Sequence, residues 1–298
     1  MRDAALLLVL LLTATPPAAA QAPPALTIDA PPALAAARAR LASYDLRPLA
    51  SIVRMVGLDA PGPPMRVVLA AEDSDWAARV SPWTAGFAVG ESGLIVLFPS
   101  RSPMYPHDTL EDVLRHEVAH VLISRAAAGH PVPRWFHEGF AVAVERPWGL
   151  GDRTRLATEL LFGPRLGLAA IDALFLGDEG AQVRGYSLAA AVVRDLMSEY
   201  GPNAPARILR GVARGQSFDT AVATVTAGSV PRFEAEFWAR QRTWTMWMPL
   251  ATSSTVLWLV VIGIAVLAVW RRRRRAAAIR RRWAAEDAAQ EPGPLEPR

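Results

Sequence analysis

The sequence predicts an α+β domain with a short N-terminal sheet and a mostly helical C-terminal part, followed by one transmembrane helix. Three observations carry this. Runs of strand type are confined to residues 65–98. From Asp108 onward, apolar residues recur at helical spacing and strand signals stop. Pro249 to Trp270 is a stretch of 22 residues without a charge.

The 298 residues suffice for one or two domains, and 52% hydrophobic against 20% charged content allows a buried core. The chain begins with an apolar run from Ala4 to Ala14, too short to span a bilayer, followed by Ala18-Ala19-Ala20 before Gln21. That pattern is a secretory signal peptide over 1–20. Residues 21–32 are rich in Pro and Ala and predict a linker. Leu34 to Val56 has helical periodicity, so 21–64 is expected to be linker plus an N-terminal helix.

Pro61-Gly62-Pro63-Pro64 then breaks the chain before the strand-like run Met65–Ala70. Ala85–Val89 and Leu94–Phe98 flank Gly90-Glu91-Ser92-Gly93 and predict a β-hairpin. Residues 65–245 are expected to form one folded domain.

The 22 uncharged residues at 249–270 would span roughly 33 Å as a helix. Trp244, Trp247 and Trp270 flank or end them like an aromatic belt, and Arg271 to Arg275 mark the cytoplasmic side. A signal peptide with such a stop predicts a single-pass inner-membrane protein with an extracytoplasmic, periplasmic body. The tail 271–298 holds nine Arg against four acidic residues, a net +5 that exceeds the +4 of the whole chain. The basicity therefore belongs to the tail, and nucleic acid is not an expected partner. Cysteine is absent, which excludes disulfides and thiolate metal sites.

The chemistry lies at His116-Glu117-Val118-Ala119-His120. On a helix, i and i+4 lie about 40° apart around the axis, so both imidazoles face one point, with Glu117 one step round. Asp108 and Glu111 resemble a capping box, and Gly129 with Pro131 stops the helix. Between them Leu110, Val113, Leu114, Val118, Val121, Leu122 and Ile123 make it apolar on nearly all sides. Two His and a Glu in such a helix are costly unless satisfied, and a zinc ion satisfies them.

A third ligand must be His or carboxylate. After a short loop comes a second helix, from Pro133 to Pro147, with seventeen residues between His120 and Glu138. Its return path can bring Glu138 beside the histidine pair. His137 is the rival, but it points about 100° away from Glu138, so both cannot face the metal. His107 and His130, in Pro-flanked turns, read as surface residues, and Glu145 either as a partner of a metal-bound side chain or, more often in such a place, as a solvated one.

H-E-x-x-H followed by W-x-x-E-G-x-A (Trp135, Glu138, Gly139, Ala141) resembles the gluzincin metallopeptidases, most closely the peptidase MA-like domains. The resemblance implies a small zincin-like domain in which His116, His120 and Glu138 bind Zn2+ and Glu117 is the general base. It further implies that Tyr186, in the helical run Gln182–Tyr200, aids the transition state, and that 65–245 is the catalytic domain. In it Leu94–Phe98 would be an edge strand able to take up an extended peptide, with a central core strand as the alternative. The expected activity is hydrolysis of peptide or protein substrates. Aminopeptidases of the wider group carry G-x-M-E-N upstream, and residues 60–110 do not, which favours an endopeptidase. A catalytically inactive envelope interaction module is the alternative. An intramembrane protease is excluded, because the motif lies far from the only expected span.

Overall fold

The computed structural model describes residues 21–252, 258 and 261–275. The signal peptide expected at 1–20 and most of the basic tail lie outside these residues. The chain divides into two compact units, up to Trp238 and from Ala239 onward.

The first unit is α+β, as expected. Four strands, β1 (Leu26–Asp29), β2 (Met65–Leu69), β3 (Gly86–Val89) and β4 (Leu94–Leu97), form one mixed sheet in the order β1-β2-β4-β3. The helices in chain order are α1 (Ala35–Ala42), α2 (Arg47–Met55), α3 (Leu110–Ala126), α4 (Arg134–Glu145) and α5 (Leu150–Phe162). They continue with α6 (Leu168–Leu174), α7 (Glu179–Tyr200), α8 (Ala204–Ala213), α9 (Phe218–Thr226) and α10 (Val230–Thr252).

Three expectations need correction. The linker over 21–32 contains β1, which pairs in parallel with β2 from Leu26↔Met65 to Asp29↔Val68. Its residues alternate between half-buried and exposed, the pattern of a strand with one covered face. The helical run 34–56 is two helices, α1 and α2, separated by a turn in which Asp45 Oδ1 accepts the Arg47 N–H at 3.0 Å. Finally, β4 is not an edge strand. It lies between β2, parallel, and β3, antiparallel, with Ile95, Val96 and Leu97 fully buried. An unbroken apolar run belongs where both faces of a sheet are covered. The hairpin edge is its other arm, β3.

The main core lies on the face of the sheet that carries α3, while Ala70, Ala77, Val96 and Phe98 form a small second cluster. The apolar residues of α3 are buried all round, as its composition requires. Its N-cap falls one residue later than expected. Thr109 accepts the Asp112 N–H, and its hydroxyl donates to Asp112 Oδ2 at 2.8 Å.

Two residues of the second motif, Trp135 and Gly139, have a packing reason. Trp135 is buried against Phe136 and Phe218, with ring centroids 5.7 and 5.8 Å away, and its backbone N–H donates to Asp172 of α6. Gly139 is where α4 crosses α7: a Cβ there would stand 2.4 Å from the Ala189 carbonyl oxygen. Backbone cannot yield as a side chain would. Gly139→Ala is therefore expected to destabilise the domain by about 1–3 kcal/mol, although alanine is the better helix former. A urea midpoint no lower than wild type would contradict this crossing.

In the second unit, residues 261–275 are helical with exposed apolar side chains such as Ile262, Ile264 and Val266, and the Arg274 guanidinium stands 3.8 Å from the centroid of the Trp270 ring. No helix among the described residues is long and apolar enough to cross a membrane. The span expected at 249–270 falls partly on residues 253–257 and 259–260, outside those described.

Candidate metal centre

α3 presents His116 and His120 one turn apart, with ring centroids 4.7 Å from each other. The chain reverses through 127–133, and α4 returns along α3. This brings Glu138 Oε2 to 3.2 Å from His116 Nε2 and 3.5 Å from His120 Nε2. The third residue expected from sequence thus meets the histidine pair. Arg134, one turn earlier on α4, lies 3.5 Å from the other oxygen, Oε1. His137 faces a different atom. Its Nδ1 is 3.4 Å from His120 Nδ1, on the ring edge turned away from Glu138.

A second group sits behind His116. Glu145 Oε2 is 2.8 Å from His116 Nδ1 and 3.2 Å from His107 Nδ1. His107 is only 7% exposed and so is not the surface residue its sequence context indicated, and Glu145, at 0%, takes the first of its two readings, beside a candidate ligand, and is not solvated. His130 is exposed, as expected. The missed signal was spacing: Glu138 and Glu145 are seven residues apart, two helical turns on one face. Both groups, His116/His120/Glu138 and His107/His116/Glu145, could hold a metal ion.

Electrostatics follow from burial and these contacts. Burial opposes charge on His116, but the bonds to Glu138 and Glu145 outweigh it and raise its pKa to about 10. Burial would raise Glu138, yet the neighbouring His120 and the bond from His116 hold it well below the usual carboxylate range. His137 is pulled down to about 3 by burial and by His120. Glu117 goes the other way: burial raises it, against the influence of His120 and His116. Its Oε2 is buried without a hydrogen-bond partner.

These side chains open on a cleft of about 460 Å³. Its walls come from β3 and the residues before it, the 104–107 segment, α3, α4 and the first turns of α7. The edge strand passes tightly over the centre. A Cβ on Gly86 would stand 2.9 Å from Val113 Cγ1 and 3.1 Å from Glu117 Cγ, so only glycine lets β3 lie this close. Tyr186 of α7 also lines the cleft, its ring 6.1 Å from His116 and edge-on to Phe175 at 5.2 Å. Burial, followed by the charge of Glu138, raises its hydroxyl well above the usual phenol range. The arrangement combines a nitrogen–nitrogen–oxygen donor set, an unpartnered buried carboxylate and a phenol on one open cleft. No family model matches this chain, and no curated protein or solved structure shows significant similarity to it.

Proposed function

We propose that the protein is a membrane-tethered zinc metallopeptidase of the gluzincin type, with its catalytic domain outside the cytoplasm and endopeptidase activity on peptides or proteins. The observation that carries the reading is the convergence of His116 Nε2, His120 Nε2 and Glu138 Oε2 beside Glu117 in the cleft. Bonds of 2.0–2.1 Å to a tetrahedral zinc place donors about 3.3 Å apart. The 3.2 and 3.5 Å separations here bracket that value. Three protein donors leave the fourth position for the cleft, as a catalytic site needs. Zinc held there supplies a Lewis acid that lowers the pKa of water and polarises a carbonyl.

The remaining roles belong to the chain. Glu117 takes the proton of the attacking water and returns it to the leaving amine, a task suited to a carboxylate whose pKa is raised by burial. Tyr186 keeps its proton and donates a hydrogen bond to the carbonyl oxygen as that oxygen gains charge. β3, with one edge unpaired by the sheet, offers backbone groups along which an extended peptide can align. Such pairing holds a scissile bond without reading side chains, which suits proteins as substrates.

Chelation is the direct test. The purified protein should carry about one zinc per chain. Removing it should stop peptide hydrolysis, and adding zinc should restore it; hydrolysis that survives complete metal removal rules the reading out. Topology is checked separately. The uncharged 249–270 segment and Arg271–Arg275 support a single span with the tail inside. Protease added outside intact spheroplasts should then digest residues 21–245 and spare the tail. A protected body would refute the placement.

A further inference from the structure

The second side-chain group shares His116 with the first, and its distances differ. Glu145 Oε2 lies 2.8 Å from His116 Nδ1, the length of a charge-assisted hydrogen bond and short of the roughly 3.3 Å between two donors on one zinc. A carboxylate accepts, so His116 and His107 each donate an Nδ1–H to the same oxygen. With a metal in place of the Nε2 proton that His116 otherwise shares with Glu138, this fixes both tautomers and leaves the lone pair of each ring on Nε2. For His116 that atom faces His120 and Glu138. For His107 it has no protein partner among the described residues, and His107 lines the cleft.

Independent ties hold the end of α4 that carries Glu145 and the segment that carries His107. Arg194 of α7 donates to the carbonyls of Val142, Ala143 and Arg146, closing the end of α4 on which Glu145 sits. Arg146 is paired with Asp152 at 2.7 Å and donates to the Pro106 carbonyl at 2.9 Å, the residue before His107. The other oxygen of Glu145, Oε1, has no hydrogen-bond partner, and Arg146 Nε stands 3.7 Å away. A carboxylate buried to serve an ion pair would not be arranged so: its paired oxygen is the one given to the imidazoles.

On the metallopeptidase reading, Glu145 orients His116 as the carboxylate beside a metal-bound imidazole does. We infer that His107, held by the same oxygen, is a substrate-contacting imidazole whose Nε2 accepts an N–H of the bound peptide. The inference rests on the metallopeptidase reading and adds a binding residue to it.

The test uses the full chain and needs no turnover. Zinc affinity is measured by competition with a chelating dye, and cobalt(II) absorption reports the donor geometry. Glu145→Gln, nearly isosteric, should weaken zinc about 10–100-fold and shift the cobalt spectrum. His107→Asn should leave both unchanged. In the zinc-loaded Glu117→Gln background, His107→Asn should raise the Kd of a fluorescent peptide roughly tenfold, the worth of one hydrogen bond. His107→Gln serves as a second variant, and circular dichroism confirms that each is folded. Wild-type zinc affinity in Glu145→Gln overturns the positioning role. Unchanged peptide affinity in both His107 variants, or a zinc loss there matching that of Glu145→Gln, overturns the substrate role. Two metal ions per chain falling to one in His107→Asn would make the second group a metal site instead. A wild-type chain that binds no zinc would sink the metallopeptidase reading itself, a result distinct from all of these.

Discussion

Alanine at His116, His120 or Glu138 is expected to strip the protein of zinc, with an affinity loss above about 100-fold at each position. The loss of an outer hydrogen-bond partner alone costs 10–100-fold, so the loss of a donor must exceed it. The three effects should be similar, because each removes one of three donors held at similar separations. His137→Ala should fall well short of them. Its ring reaches His120 only at Nδ1, at 3.4 Å, so its removal loosens a ligand without deleting one. Elemental analysis after gel filtration, beside chelator competition, separates the cases. Burial makes folding controls necessary, and Glu138→Gln, which keeps the volume, is the companion variant. Zinc kept in Glu138→Ala but lost in His137→Ala would make His137 the third ligand.

The part of the site written in local rules was legible in the sequence. Spacing of four on one helix places His116 and His120 together, and a short turn between helices obliges Glu138 to return beside them. The apolar surround of α3 likewise foretold a buried helix. What failed depended on distant partners. Nothing near Leu94–Leu97 says whether its hydrogen bonds meet one neighbour or two, and the second neighbour, β2, lies about 25 residues upstream. β1 was hidden by the Pro- and Ala-rich sequence around it, although Leu26 and Ile28 alternate with polar residues. His107 looked exposed because its flanking prolines imply a turn. Its burial comes from the end of α4, 38 residues away, through Glu145. Glu145 could have been found from its heptad spacing to Glu138, but spacing alone does not show that the face it shares is dry.

Glu117→Gln is expected to retain zinc and fold while losing peptide hydrolysis by about 10²- to 10⁴-fold. Glu117 is outside both candidate donor groups, so the metal does not depend on it. Its Oε2 is buried and unpartnered, so the folded state gains little from its charge. Replacing a raised, desolvated carboxylate by a neutral amide should leave Tm unchanged or higher. The amide keeps the length of the side chain and its place in the cleft but cannot take a proton from water. Activity should therefore fall without a loss of stability, a pattern that a merely structural residue would not produce. It also separates the proposed peptidase from an inactive binding module, for which Glu117→Gln would change nothing measurable beyond stability. Hydrolysis at the wild-type rate in this variant would remove Glu117 from the mechanism. Zinc lost in step with activity would instead make Glu117 a ligand, and the base would have to be sought elsewhere in the cleft.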